Sequence, residues 1–253
     1  MVNYDIFIPV RLNNTRLPQK AMKEISGKPI IKYLIERLES ARKIRYVIVC
    51  TTMQKDDDPL VEFLEKEKVK VFRGNEKDIL VRYLDAAKYF GTDFIVSVDG
   101  DDIYTDPIFV DKIVSEFERT NADYIDMVGF PFGIASVGIK NDALQKICEL
   151  KRTNDTETGY RLFFTKTNIF QVHTLKPEPH IKFPKNLRLT LDYKEDLDLA
   201  KEIFKILGND FHLGNILKLF EEKPELLKIT DNLEVQYKEH WNKNVADVSI
   251  RNN

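Results

Sequence analysis

Short apolar runs alternate with segments whose apolar residues recur at helical spacing over the first half of the chain. The run at 5–10 predicts a buried strand, and a polar loop at 11–19 follows it. Pro29 suits the first turn of a helix, and the apolar residues of 30–38 continue it. The same patterns predict strands at 45–51, 69–72 and 94–99 and helices at 58–66, 78–89 and 107–117. This alternation favours an α/β fold with a mostly parallel sheet covered on both faces.

After residue 120 the alternation weakens, and strands outnumber helices. The pattern predicts strands at 124–128, 134–139 and 169–174, a helix at 142–150 and a polar segment at 151–161. Alternation returns with a strand at 187–192, a helix at 197–207 and a helical pair after Asn215. No repeat, low-complexity tract or linker interrupts the sequence. We therefore predict one domain over 1–253, with a mixed, substrate-side insertion at about 121–186.

Composition then limits the class of protein. Hydrophobic residues make up 43% of the 253 positions, which is enough for a large core and excludes disordered or fibrous chains. A net charge of -2 supplies no basic field for nucleic acid or an anionic membrane. The two cysteines exclude a disulfide framework and indicate a reducing compartment. Since no apolar run suits a signal or a membrane span, we expect a cytoplasmic protein that binds neither nucleic acid nor membrane.

Charge is nevertheless concentrated near the N-terminus, where the first 50 residues carry ten basic and four acidic side chains. Open parallel sheets bind ligands beyond the carboxyl ends of their strands. Arg11, Arg16 and Lys20 follow the first predicted strand. Arginine binds phosphate oxygens bidentately and lysine adds a point charge, so this loop could surround a triphosphate. The alternative is an ordinary surface loop with solvated cations.

Carboxylates follow two other predicted strands. Asp99, Asp101 and Asp102 form a turn after the strand at 94–99, and Asp192 ends the strand at 187–192. Carboxylate oxygens suit Mg²⁺, which also binds phosphates. The alternatives are a turn whose aspartates accept backbone N–H groups and an N-cap of the next helix. Two acidic strand ends beside one basic strand end favour a metal–triphosphate site.

Other nucleotide and metal motifs are missing from the sequence. The segment at 26–29, SGKP, lacks the upstream glycine and the final serine or threonine of a P-loop, and no GxGxxG occurs. The four histidines lack the spacing of zinc ligands. Neither a dinucleotide fold with its fingerprint nor a zinc enzyme is expected.

The run at 8–22, IPVRLNNTRLPQKAM, resembles the signature loop of the cytidylyltransferases that make CMP-sugars. The nearest likeness is to the spore-coat-polysaccharide and CMP-Kdo synthetase-like branch. Further motifs of that family follow in order: GKPI at 27–30, CTT at 50–52, VFRGNEKD at 71–78, RY at 82–83, DGDD at 99–102, DP at 106–107 and TLDYKEDL at 190–197. The resemblance covers roughly 4–120 and 187–207, and the RLPxK loop is its most specific part.

This resemblance implies a nucleotide-diphospho-sugar-transferase-like α/β fold with a Rossmann-type sheet. It also implies Mg²⁺-dependent transfer of CMP from CTP with release of pyrophosphate. By position, Arg11, Arg16 and Lys20 would be catalytic and grip the triphosphate, while Asp101 and Asp192 would hold Mg²⁺. The residues implied to bind the nucleotide are Pro9, Arg11, Thr51, Thr52, Gly74, Asp78, Arg82 and Asp99. A homodimer is a further expectation.

Two departures from the family leave the acceptor open. Asp99 stands where CMP-Kdo enzymes place an amide that helps to read cytosine, and the insertion matches no known substrate pocket. Tyr160 and Arg161 lie in the polar segment at 151–161, where Arg161 could bind a carboxylate or phosphate. We therefore predict an anionic acceptor, which is a sugar acid, a phosphosugar or a phosphonate used for activated-sugar or surface-glycan biosynthesis.

Two alternative functions stay open at this point. The first is a GT-A glycosyltransferase, because Asp99-Gly100-Asp101 is a DxD motif on a similar fold. Such an enzyme would bind a nucleotide-sugar and would not need a triphosphate clamp. The second is a catalytically silent protein that binds CTP without producing pyrophosphate.

Overall fold

The computed structural model describes residues 2–185, 187–231 and 233–251. The strands in these residues are β1 (Tyr4–Pro9), β2 (Glu24–Ile25), β3 (Lys28–Pro29), β4 (Tyr46–Thr52), β5 (Lys70–Gly74), β6 (Phe94–Ser97), β7 (Tyr124–Met127), β8 (Val137–Lys140) and β9 (Val172–Leu175). The α-helices are α1 (Ile30–Leu38), α2 (Asp58–Lys66), α3 (Ile79–Phe90), α4 (Pro107–Thr120), α5 (Asn141–Leu150), α6 (Leu162–Thr165), α7 (Lys194–Leu207), α8 (Leu213–Glu222) and α9 (Leu233–Asn244). None of the helices in the described ranges has the length and apolar character needed to cross a membrane.

Seven strands form one sheet in the order β5-β4-β1-β6-β8-β7-β9. Strands β5, β4, β1 and β6 are parallel, β8 is antiparallel to both neighbours, and β9 is parallel to β7. This arrangement confirms the predicted α/β fold with a mostly parallel sheet and a mixed part. The segment predicted as an insertion supplies β7, β8 and β9 to the same sheet; its last residue, Asn186, lies outside the described residues.

The direction of chain progression reverses at β1. The chain passes from β1 to β4 and β5 on one side, and then crosses to β6 on the other side. A crevice opens at the carboxyl ends of the strands at such a switch point, and open α/β sheets bind ligands there. The loop after β1, at 11–20, and the turn after β6, at 99–102, both border this crevice.

Apolar clusters cover both faces of the sheet. Alternation along β1 places Ile6 and Ile8 in one cluster with α1, α4 and α7, and Phe7 in the other with α3 and α5. All three side chains are fully buried. Because both faces are covered, the ends of the strands are the part of the parallel sheet that can receive a ligand.

The segment at 187–192 corrects one sequence-based prediction, because it is buried but does not form a strand of the sheet. Leu189 N donates to Phe132 O at 2.8 Å, and Leu191 N donates to Asp101 O at 3.0 Å. Loops therefore satisfy its backbone, while its buried leucines explain the strand-like apolar pattern. This placement brings Asp192 beside the turn at 99–102. A smaller correction is that Pro29 lies in β3, directly before α1 rather than in its first turn.

Gly133 allows the connection between β7 and β8 to approach the segment at 187–192. Its φ is +89°, and a Cβ at this position would lie 1.9 Å from the carbonyl oxygen of Leu189. Gly133→Ala should lower the free energy of unfolding by about 3 kcal/mol, because two backbone segments must move apart. The control is Gly214→Ala in α8, where a Cβ meets open space and alanine favours the helix. Urea unfolding measures both, and equal stability of the two variants would contradict this close approach.

Candidate active site

A cavity of about 870 Å³ opens at the carboxyl ends of β1 and β6. It is bordered by the loop at 11–20, the turn at 99–102 and the connection between β7 and β8. Residues of the segment at 151–161 and of α9 complete its lining. The cavity therefore lies at the switch point of the sheet, where the topology predicts a ligand.

Lys20 is the central cation of this cavity. Its Nζ donates to both carboxylates predicted to hold metal, contacting Asp101 Oδ2 and lying 3.2 Å from Asp192 Oδ1. It also donates to the carbonyl oxygen of Leu191 at 3.0 Å. Gln19 has a left-handed conformation, with φ 54°, and its N donates to Leu12 O at 3.2 Å. This closes the loop and directs Lys20 across the crevice.

The two predicted arginines of the loop also border the cavity, and each has a carboxylate partner. Arg16 forms an ion pair with Asp192, and Arg11 Nε lies 3.6 Å from Glu157 Oε2. The structure thus brings Arg11, Arg16 and Lys20 together, as the sequence analysis predicted. Glu157 was missed, because a glutamate in a polar segment gives no positional signal in the sequence.

Neighbouring charges separate the pKa values of the carboxylates. Burial raises the pKa of Asp192, but Lys20, Arg16 and Arg188 outweigh it and hold this pKa at about 2. The pKa of Asp101 is raised, mainly by burial and also by Asp192 and Asp99, although Lys20 opposes the shift. Asp192 is therefore a firmly ionised carboxylate, while Asp101 depends on a nearby cation to stay ionised.

The donor set fits a divalent cation. Asp101 and Asp192 offer oxygens that already converge on one cation, the Lys20 ammonium, with the Leu191 carbonyl beside them. Within the described ranges no group of three or more His, Cys, Asp or Glu side chains could hold a metal. A site with two carboxylates suits Mg²⁺, which keeps waters or phosphate oxygens as its other ligands.

Among the predicted nucleotide-binding residues, Pro9, Arg11 and Asp99 line the cavity. Thr51 and Thr52 do not line it, because their buried hydroxyls donate to Asp57 Oδ2 at 2.9 and 2.5 Å. The other oxygen of Asp57 accepts from Leu12 N at 2.7 Å. The two threonines thus position the start of the loop at 11–20 through Asp57.

Gly74 and Arg82 also lie off the cavity. Arg82 is fully buried and donates to Asn75 O at 2.7 Å, to Glu76 O at 3.0 Å and to Glu157. A Cβ on Gly74 would lie 3.0 Å from Arg82 Cγ, so glycine makes room for this side chain. Arg82 therefore positions Glu157, which in turn contacts Arg11.

Asp78 is a structural residue in this chain as well. Its side chain caps α3 by accepting from Val81 N at 3.2 Å and accepts from Thr156 Oγ1 at 2.9 Å. Its other oxygen pairs with the buried ammonium of Lys151. Asp78 thus ties the segment at 151–161 to α3, and it does not line the cavity.

Tyr160 and Arg161, predicted to bind the acceptor, line the cavity as one network with Asp99. The Tyr160 hydroxyl lies 2.7 Å from Ser97 Oγ and donates to Asp99 Oδ1 at 3.2 Å. Arg161 donates to Asp99 Oδ2 at 2.8 Å and to Ala135 O at 3.3 Å. Because Arg161 already has these partners, a bound anion would have to share the guanidinium with Asp99.

Arg188 is a further residue that the sequence analysis did not place in the site. It is buried and donates to Asp192 Oδ2 at 2.8 Å and to Asp196 Oδ1 at 2.8 Å. Asp196 also accepts from the backbone N of Asp192 at 2.8 Å. In the sequence, the i, i+4 and i+8 spacing of Arg188, Asp192 and Asp196 is the pattern that could have indicated this ion-pair network. Arg188 fixes the orientation of Asp192 and offsets its charge.

The cavity lies at the switch point of the sheet and brings together three cations and a pair of carboxylates. Such a site is typical of α/β proteins that bind a phosphate-bearing ligand. A family model described as cytidylyltransferase matches residues 6–221. The chain belongs to the cytidylyltransferase family, which confirms the resemblance drawn from its motifs.

Three relatives cover about two thirds or more of the chain, and two of them have a named function. The chain is 30% identical over 230 residues to an uncharacterised protein of Methanocaldococcus jannaschii, covering 89% of this chain and 93% of that one. It is 24% identical over 226 residues to the spore coat polysaccharide biosynthesis protein SpsF of Bacillus subtilis, covering 86% and 94%. It is 30% identical over 175 residues to 3-deoxy-manno-octulosonate cytidylyltransferase 2 of Hydrogenovibrio crunogenus, covering 65% of each chain.

Solved structures share the fold. A cytidylyltransferase from Leptospira borgpetersenii superposes with a TM-score of 0.82 at 26% identity, over 90% of this chain and 97% of that chain. A CMP:2-keto-3-deoxy-manno-octonic acid synthetase complexed with CTP gives a TM-score of 0.63 at 15% identity, over 80% and 98%. These likenesses confirm the predicted nucleotide-diphospho-sugar-transferase type of fold.

The structural role of Asp78 predicts a stability effect that needs no nucleotide. Asp78→Ala should lower the free energy of unfolding by about 3 kcal/mol, since Lys151 stays buried without its carboxylate and α3 loses its cap. Lys77→Ala is the matched control and should leave the stability unchanged, because Lys77 is the residue before Asp78 and its side chain is exposed. Urea unfolding without nucleotide measures both variants. Unchanged stability of Asp78→Ala, with weaker nucleotide binding, would instead make Asp78 a ligand.

Proposed function

We propose that this chain transfers CMP from CTP to an anionic small acceptor and releases pyrophosphate. The observation that carries the proposal is the convergence of Lys20 on Asp101 and Asp192 at the switch point of the sheet. Family membership supports the class of reaction. We infer the choice of CTP and of an anionic acceptor.

The cations of the loop at 11–20 would bind the triphosphate. Arg11, Arg16 and Lys20 each contact a carboxylate. Phosphate oxygens would replace these partners, so no cation becomes unpaired when the ligand binds. Charge-assisted hydrogen bonds of this kind are about twice as strong as neutral ones, and arginine adds bidentate geometry.

Asp101 and Asp192 would hold Mg²⁺, whose positive charge would offset the negative charge of the phosphates during nucleotidyl transfer. Their spacing around a single ammonium and the hard oxygen donors support this assignment. Arg188 keeps Asp192 in place through its own contact at 2.8 Å.

In the reaction, an acceptor oxygen attacks the α-phosphorus in line, and the bond to the leaving pyrophosphate breaks. Lys20 and Arg16 offset the charge that develops on pyrophosphate, so positioning and electrostatics supply most of the catalysis. An acceptor phosphate or phosphonate is already ionised at neutral pH and needs no general base, whereas the hydroxyl of a sugar acid must give its proton to a base, such as a nearby carboxylate. The names of the relatives, which include a sugar-acid cytidylyltransferase and a spore coat polysaccharide protein, support a role in activated-sugar biosynthesis.

The glycosyltransferase alternative is less favoured by the geometry. The two aspartates of its DxD motif have separate partners, since Asp99 pairs with Arg161 and Asp101 with Lys20. A nucleotide-sugar donor would also leave the loop at 11–20 with more cations than its diphosphate requires. The homodimer and the cytoplasmic location stay predictions of the sequence.

The proposal is tested by pyrophosphate release from each of the four NTPs in the presence of Mg²⁺. The acceptor panel contains sugar acids, phosphosugars, phosphonates and neutral sugars. We expect CTP with an anionic acceptor to be fastest. A neutral sugar that outpaces every anionic acceptor would refute the proposed acceptor class, and no pyrophosphate from any NTP would refute the reaction.

Lys20→Ala should remove a charge-assisted contact worth about 1.5–3 kcal/mol and lower kcat/KM for CTP by at least about tenfold. The matched control is Lys66→Ala, since Lys66 is exposed on α2 and distant in sequence from the loop. Steady-state kinetics with circular dichroism for the fold measure the effect. Near-normal rates for both Lys20→Ala and Arg16→Ala would show that the loop does not bind the triphosphate.

Asp101→Asn and Asp192→Asn should each abolish nearly all transfer and raise the Mg²⁺ concentration needed for the residual rate, because an amide supplies no charge. Asp102→Asn is the control and should have a milder effect, because Lys20 contacts Asp101 and Asp192 but not Asp102, and only Asp101 of this turn aligns with the family's metal ligand. Rates are measured across a Mg²⁺ titration after treatment with a chelator. Small and equal effects at all three positions would favour the turn and N-cap interpretations.

A further inference from the structure

Helix α9 lies beyond the residues that match the family model, which end at 221. Five of its residues, Tyr237, Lys238, His240, Trp241 and Asn244, line the cavity. All but Lys238 follow the spacing i, i+3, i+4 and i+7, which puts those four on one side of the helix, called here the α9 face. Leu233 is the one residue of α9 that is buried in the core. The α9 face is therefore turned to the cavity and is not used to fill the core.

The chain after α9 fixes this helix to the segment at 151–161. Ala246 N donates to Thr158 O at 2.9 Å, and Arg152 N donates to Ser249 O at 3.2 Å. Gly159, with φ +87°, brings its backbone near α9: a Cβ there would lie 3.6 Å from Trp241 Cζ2. The α9 face is thus held at a defined position beside Tyr160 and Arg161.

The α9 face adjoins the part of the cavity that the nucleotide would leave free. Under the proposed function, the phosphates lie at the loop at 11–20, and Lys77 and Ile79 line the side that follows β5. The opposite side follows β7 and is lined by Met127, Phe130 and Phe132. If the nucleoside lies on the side that follows β5, as the proposed function implies, the acceptor approaches from the side that follows β7.

The chemistry of this side is aromatic. The rings of Phe132 and Tyr237 have centroids 4.7 Å apart, and those of Tyr237 and Trp241 are 6.2 Å apart. Arg188 and Arg16 lie over the ring of Tyr237, at 5.1 and 6.0 Å from its centroid. Tyr237 therefore already packs against two arginines, which leaves Trp241 as the flat surface available to a ligand.

Polar side chains flank Trp241 on the α9 face. Burial and the nearby Arg16 lower the pKa of His240, so its imidazole is neutral at pH 7 and can donate or accept a hydrogen bond. Asn244 lies one turn along from His240; its Nδ2 donates to His240 O at 2.8 Å, and its Oδ1 can accept from a ligand hydroxyl. The α9 face carries no carboxylate, which an alkylammonium group would require as a counter-charge.

We propose that the α9 face is the acceptor subsite and that Trp241 stacks on the C–H face of a pyranose ring, whose hydroxyls meet His240 and Asn244. This inference rests on the proposed function and narrows its acceptor to a ring-form sugar acid or sugar phosphate. Aromatic side chains offer large apolar contact area at low conformational cost, which suits the apolar face of a sugar ring. Trp241 is thus a specificity-determining residue, while the loop at 11–20 performs the phosphate chemistry.

Kinetics on three variants test the subsite. The probes are 3-deoxy-manno-octulosonate and glucose 1-phosphate as pyranose acceptors, and phosphoethanolamine and glycerol 3-phosphate as ringless ones, each with CTP and Mg²⁺. Trp241→Ala should raise KM for the best pyranose acceptor at least about tenfold, with KM for CTP changed less than about twofold. Trp241→Phe should recover most of the loss. Glu239→Ala, on the exposed side of α9, should match the wild type.

Fluorescence gives a readout independent of turnover, because Trp241 is the single tryptophan of the chain. Titration of the CTP-bound protein with a pyranose probe should change the emission of Trp241, and a ringless probe should not. Two results would overturn the inference and leave the proposed reaction intact. One is that a ringless acceptor is turned over fastest, and the other is that Trp241→Ala does not change KM for a pyranose acceptor. Pyrophosphate release by no NTP would refute the proposed function itself.

Discussion

Two carboxylates, the partly buried Asp101 and the buried Asp192, are held close together at the end of the sheet, and the site depends on how their charge is offset. Burial and mutual repulsion both oppose ionisation, and the ammonium of Lys20 between them supplies the compensating charge. Removing Lys20 from that position is favourable only if another cation replaces it. Under the proposed function, a metal-bound triphosphate would meet this condition, because the metal would bind the carboxylates and the phosphates would bind Lys20. Binding would then exchange partners without leaving a buried charge unpaired.

Residues behind the lining of the cavity hold its charged side chains and the loop at 11–20 in place for this exchange. Asp57 holds the start of the loop at 11–20, and Arg82 holds Glu157, which contacts Arg11. Arg188 holds Asp192 from the side opposite Lys20. The contacts of Asp57, Arg82 and Arg188 are charge-assisted hydrogen bonds in a mostly buried setting, so the groups they hold have defined positions before any ligand binds.

The sequence predicted the parts of the site that follow directly from strand ends. Arg11, Lys20 and Asp101 each come after a strand of a parallel sheet, and topology brings such positions together. Asp78 and Arg82, which were expected to bind the nucleotide, are buried and do not line the cavity, and the sequence does not show that the segment at 151–161 returns to cover them. The segment at 187–192 has the apolar pattern of a strand, but its backbone pairs with loops. The position of α9 depends on contacts with residues some 85 positions earlier, such as the hydrogen bond that Ala246 N donates to Thr158 O, and the sequence does not show these contacts.

The most direct test of the exchange is a crystal structure of the chain with Mg²⁺ and a non-hydrolysable CTP analogue. We expect Lys20 Nζ to leave both carboxylates and to bind phosphate oxygens, while Asp101 and Asp192 ligate the metal. A structure in which Lys20 still contacts Asp101 and Asp192, with the triphosphate bound elsewhere in the cavity, would contradict it.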